Sequence, residues 1–151
     1  MNAQVWIALS LGAAAIIDDL KRRHIANWIP AAALAGGFGW HLGLQGWMGI
    51  PVALFGAVAG FSVFLIFYWL GGMGGGDIKL MAGFGALLGA RQLLEAALWT
   101  AGVGGLMALG VLGWRRLRKG PSAAATVPMD DSIPYAPAIA LGVWLSLASK
   151  S

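Results

Sequence analysis

The sequence predicts an all-α polytopic membrane protein of about six transmembrane helices joined by short loops. Three observations carry that reading. Of 151 residues, 59% are apolar and 11% charged, with a mean hydropathy of +0.76, against about half apolar and about a quarter charged in ordinary soluble domains. The apolar residues gather into six runs, each near or somewhat below the roughly 20 residues that a spanning helix needs. Charged residues collect between the runs. The whole chain, 1–151, therefore reads as a single membrane-embedded domain, and the lipid bilayer is its first partner.

Each element follows in order. The first span, 4–19, reads as a retained helix, because Val5 to Ile17 opens without the basic n-region of a cleaved leader. The cluster Asp18-Asp19-Leu20-Lys21-Arg22-Arg23-His24 closes it. A second span, 28–44, carries Pro30 near its start, where the amide that proline lacks would have no helical partner. Gln45-Gly46-Trp47-Met48-Gly49 is a short turn with an interfacial tryptophan. The third span, 51–70, runs into Gly71-Gly72-Met73-Gly74-Gly75-Gly76-Asp77-Ile78-Lys79, the stretch around which the rest of the chain is organised.

The fourth span, 78–90, is short, and it crosses only if it starts deep or the bilayer thins. Arg91-Gln92 and Glu95 mark a turn, and 94–114 is a fifth span rich in Gly and Ala, the composition of close helix packing in lipid. Arg115-Arg116-Leu117-Arg118-Lys119 stops it. The stretch 115–132 reads as a flexible cytoplasmic loop with Asp130-Asp131 in it. A sixth span, 133–148, is interrupted early by Pro134 and Pro137.

Alternate crossing sorts the charges. Lys21, Arg22, Arg23, Lys79, Arg115, Arg116, Arg118 and Lys119 fall on one side, and only Arg91 and Lys150 on the other. That bias makes the first side cytoplasmic, with both termini outside. The net charge of +4 thus reports topology, and no nucleic-acid partner is expected. With no cysteine and with only His24 and His41 as histidines, no disulfide framework, metal site or other cofactor is expected.

The acids carry the chemistry. Asp130 and Asp131 sit in a polar loop, and Glu95 makes an ordinary helix-surface pair with Arg91. Asp18, Asp19 and Asp77 remain, at one membrane boundary. Ionisable groups there are costly and mark function. Two carboxylates brought together at a dry boundary cannot both ionise easily and tend to share a proton. One can then take a proton from water while the other hydrogen-bonds a scissile carbonyl, without metal or covalent intermediate. The glycines beside Asp77 could offer free backbone groups to an extended substrate.

Gly74-Gly75-Gly76-Asp77-Ile78-Lys79 resembles the Gly-x-Gly-Asp-x-Lys motif of type IV prepilin peptidases. Asp19-Leu20-Lys21-Arg22-Arg23-His24-Ile25-Ala26-Asn27 resembles their first-aspartate segment, with Ala26 where the family usually has Pro. Ile133-Pro134-Tyr135-Ala136-Pro137-Ala138-Ile139-Ala140-Leu141-Gly142 is similar to their last span. The resemblance implies a bacterial inner-membrane aspartyl endopeptidase. Its substrates would be prepilins or pseudopilins, whose basic leader it removes at the cytoplasmic face, just before their hydrophobic segment. It implies Asp19 and Asp77 as the catalytic pair, since Asp19, and not Asp18, has the family spacing of eight to Asn27. Gly74 and Gly76 would shape the active loop, with Lys79 and Asn27 in support. Larger members carry a cysteine tetrad and also methylate the new N-terminus; this chain resembles the small Flp or Tad-type branch, and methyltransferase activity is not expected.

Two other classes fit the acids. One is a small proton- or cation-coupled transporter, although its sites usually lie mid-span. The other is a non-catalytic assembly subunit of a pilus or secretion apparatus, whose acids would lock helices through Arg or Lys. The sequence assigns no oligomeric state.

Overall fold

The computed structural model describes residues 3–69, 73–119 and 135–149. Its elements are α1 (Ala3–Arg22), α2 (Trp28–Gln45), a 3-10 turn (Gly46–Met48), α3 (Gly49–Trp69), α4 (Gly75–Lys119) and α5 (Ala136–Ala148). Three helical stretches are long and apolar enough to cross a membrane: Ala3–Arg22, Trp28–Trp69 and Gly75–Val111. The described residues are thus helical throughout apart from turns, as the composition requires of backbone that has no water to bond.

Two of those stretches double back. In the 42-residue stretch Trp28–Trp69 the 3-10 turn reverses the chain, so that Phe38 and Leu34 of α2 pack beside Ala53 and Ala57 of α3. In α4 the reversal is at Gly89, whose φ of 74° and ψ of 161° are not helical. Such angles are open essentially to glycine alone. The limb before it (75–88) runs antiparallel to α3, since Gly56 lies against Gly85 and Gly60 against Met81. The limb after it (90–119) runs antiparallel to α5, since Gly142 lies against Thr100 and Gly104 against Tyr135. The sequence expects this turn at Arg91-Gln92 and Glu95; those residues are helical, and the turn comes two positions earlier. Polar side chains mark the surface level, whereas the reversal needs a residue that tolerates positive φ.

The first limb of α4 is the centre of the bundle. Every residue from Leu80 to Gly89 is buried, and a helix apolar all round is one that neighbours enclose. Small residues admit those neighbours: a Cβ on Gly37 would lie 2.5 Å from the Ala86 backbone, and one on Gly83 would lie 2.7 Å from Ala33. Helix α1 closes the other side through α5, where Trp144 Nε1 donates to the Ala8 carbonyl at 3.1 Å over Gly12. Outward, Phe55, Phe61, Phe67 and Trp69 of α3 are exposed, the surface expected of a helix that meets lipid. The helix of α4 continues to Lys119, into the stretch expected to be loop. Residues 120–132 of that expected loop lie outside the described residues.

Candidate active site

At one end of the bundle the end of α1, the start of α2, the first turn of α4 and the start of α5 come together. Asp19 is in the last turn of α1 and is 8% exposed. Its Oδ2 accepts the Ala136 amide of α5 at 3.2 Å, an N–H that has no partner within its own helix. The chain thus joins residues 117 positions apart. Asp77 is in the first turn of α4, where the helix dipole favours a carboxylate. It is 7% exposed, and its Oδ2 accepts the Gly74 amide at 3.2 Å. Its Oδ1 is buried without a hydrogen-bond partner. Buried polar atoms are nearly always bonded, and an exception calls for a reason. The Asp19 and Asp77 carboxylates lie close enough for their charges to interact.

Asp18 is differently placed, although it is next in sequence. Its Oδ2 accepts the Ala26 amide at 2.7 Å, and its Oδ1 lies 3.4 Å from Arg22 Nε. It therefore holds the loop between α1 and α2, in which Arg23 takes a φ of 51°. Both of its oxygens are engaged on its own side of the loop.

The glycine stretch differs from position to position. Gly74 supplies the amide that Asp77 accepts, and a Cβ there would meet Asp77 Oδ2 at 3.4 Å, an ordinary contact. Gly76 is tighter, since a Cβ there would come within 3.2 Å of Ile25 Cβ. Ile25, 3% exposed, is the wedge on which the first turn of α4 rests. Gly71 and Gly72 lie outside the described residues. Asn27 precedes α2 but does not cap it with its side chain. Its Oδ1 instead accepts from Lys79 Nζ at 3.1 Å, which ties the α2 entry to α4.

The six residues singled out in the sequence, Asp19, Asp77, Gly74, Gly76, Lys79 and Asn27, are therefore gathered at one end of the bundle. Sequence reasoning does not foresee the Ala136 amide or the Ile25 wedge, although both lie within the quoted motifs. No group of three or more His, Cys, Asp or Glu able to hold a metal occurs among the described residues. What the site offers is two buried carboxylates from different helices, each steadied by one backbone N–H.

A cavity of about 580 Å³ adjoins this end, between α3 and the second limb of α4. Met73, one residue before Gly74, and Tyr135, one before Ala136, line it.

Residues 6–109 match the type IV leader peptidase family. Over 149 residues the chain is 30% identical to the prepilin leader peptidase/N-methyltransferase of Aeromonas hydrophila, covering 94% of this chain and 46% of that protein. Over 92 residues it is 38% identical to the protein of the same name from Bacillus subtilis, covering 59% of this chain and 33% of that protein. The chain thus spans less than half the length of these relatives. No solved structure matches it.

Proposed function

This chain belongs to the type IV leader peptidase family, and from that premise we propose that it is a membrane aspartyl endopeptidase acting on prepilin-like substrates. Asp19 and Asp77 are its catalytic pair. The carrying observation is that two buried carboxylates, from α1 and α4, lie close enough for their charges to interact, one with an oxygen left open.

Facing carboxylates in a dry setting share one proton. The ionised member takes a proton from a water molecule as its oxygen attacks the scissile carbonyl carbon. The protonated member gives its proton to the carbonyl oxygen, which yields a tetrahedral diol. When the C–N bond breaks, the proton taken from water passes to the departing amine, a hydroxyl proton returns to the pair, and the new carboxyl is left behind. No covalent enzyme intermediate forms. The Gly74 and Ala136 amides hold one oxygen of each acid, which leaves the other oxygen of each for the water and the substrate carbonyl. Bonds already made at Asp18 favour Asp19 as the second member.

Six membrane-crossing limbs are supported by the reversals at the 3-10 turn and at Gly89. The excess of basic residues at the carboxylate end supports a cytoplasmic site, with both termini on the far side of a bacterial inner membrane. Lys79 and Asn27 support the loop that holds Asp77.

The test is cleavage of a prepilin-like substrate in membranes by the wild type and by Asp18→Asn, Asp19→Asn and Asp77→Asn, at matched expression. Loss of a group that moves a proton in the transition state costs roughly 10²- to 10⁴-fold. That loss is expected for Asp19→Asn and Asp77→Asn only. Normal cutting by both sinks the assignment, and proton flux in liposomes then tests the transporter reading.

A further inference from the structure

The cavity beside the carboxylates has a shape that the hydrolytic step does not use. One wall is the second limb of α4, where Ala97, Ala101 and Gly105 follow one another at intervals of four and so stand on one helix face. The facing wall is Val63, Phe64 and Phe67 of α3. Ala101 and Gly105 are exposed, so the space is a groove open to the outside of the bundle. Small residues at this spacing let a second backbone approach closely in lipid, and opposite them stand large rings. The groove also has a direction. It starts at Met73 and Tyr135, each adjoining the residue whose amide holds an aspartate. From the level of Gly104, beside Tyr135, it runs inward to Leu94, about 15 Å along the helix at 1.5 Å per residue.

We propose that this groove, in the peptidase reading on which the inference rests, seats the apolar segment that follows the scissile bond, held as a helix against Ala97, Ala101 and Gly105. A chain entering the bilayer must bond its own amides, and a helix does so. Its residues nearest the cut remain extended at the carboxylates, while the next turns lie in the groove. About 580 Å³ takes several side chains, which is one face of a helix and not its whole girth. The choice of substrate over a second copy of this chain rests on continuity: the groove starts at Met73 and Tyr135, next in sequence to Gly74 and Ala136, whose amides hold the two aspartates.

The chain has no cysteine, so single cysteines can map the contact. The probe is a membrane-inserted polypeptide with a basic leader and about 20 apolar residues, carrying one cysteine at successive positions of its apolar part. Ala101→Cys and Leu106→Cys are each combined with Asp77→Asn, so that the probe stays whole. Leu106 is 73% exposed and, five residues on, sits near the opposite face of the same limb. Disulfide formation through Ala101→Cys at helical intervals of the probe, and at least tenfold less through Leu106→Cys, is the expected result. Equal yields, or crosslinks through Leu106→Cys alone, overturn the inference, as does self-coupling of Ala101→Cys without probe, which gives the groove to a second copy. Cleavage is measured in parallel with Asp77 intact. If those forms cut the probe but Ala101→Cys does not crosslink, the groove assignment falls and the peptidase reading stands; if the wild type leaves the probe uncut, both fall. Ala101→Phe is expected to raise KM about tenfold for this probe and to leave unchanged the cutting of a peptide that ends just after the cleavage site. An unchanged KM also overturns it.

Discussion

Asp18 and Asp19 differ by one position and by everything that surrounds them. On a helix, neighbours diverge by about 100°, so Asp18 turns back to Ala26 and Arg22 while Asp19 bonds the start of α5, within electrostatic reach of Asp77. Removing the Asp18 carboxylate leaves the Ala26 amide without its acceptor and loosens the loop that carries Ile25. Asp18→Ala is expected to lower stability by about 1.5–3 kcal/mol, the range for a hydrogen bond to a charged group, with cleavage falling only a few-fold. Thermal unfolding in detergent reads the first and substrate processing the second. A loss of activity as large as that of Asp19→Asn would show that Asp18 takes part in the chemistry. Composition and charge left Asp18, Asp19 and Asp77 together, and only the resemblance in spacing to Asn27 separated the first two. Nothing local in the sequence says that an amide 117 residues away holds Asp19, because that contact is made by the packing of whole helices.

Helices are where the sequence is most legible and their ends least. Six apolar runs correspond to α1, α2, α3, the two limbs of α4 and α5, since hydrocarbon length and backbone hydrogen bonding leave a membrane chain few alternatives. The position of the reversal between the limbs was less clear, because Arg91, Gln92 and Glu95 attract attention as polar residues while the conformation is set at Gly89. That glycine also has Val52 within 3.2 Å of where a Cβ would stand. Gly89→Ala is therefore expected to cost about 1–3 kcal/mol of backbone strain and to lower the thermal midpoint of the detergent-purified protein. Gly105→Ala serves as the control: no atom lies within 4 Å of its would-be Cβ, and its helix should gain slightly. Equal stability of the two variants would contradict the conformation of Gly89. The centrality of the fourth apolar run, buried from Leu80 to Gly89, was not legible either. A short run can be a marginal span or an enclosed core helix, and only its neighbours decide.

At the scale of the molecule, the bundle works as a frame that brings two carboxyl groups into one place that lipid would otherwise forbid. Their end of the bundle carries Lys21, Arg22, Arg23 and Lys79, and the far end carries Arg91, so the proposed site carries a prediction about orientation. Reporter fusions after Gln45 and at the C-terminus are expected to report the non-cytoplasmic side, and one within 120–132 the cytoplasm. The opposite pattern would put the carboxylates on the wrong face for a substrate with a cytoplasmic leader. The central claim is that Asp19 and Asp77 act as one unit, and residues that act so lose activity non-additively. The direct measurement is the rate of cleavage by reconstituted wild type, Asp19→Asn, Asp77→Asn and the double variant, each shown to be folded. The double variant is expected to be no slower than either single one. Losses that multiply, or a single variant that keeps its rate, would contradict that claim.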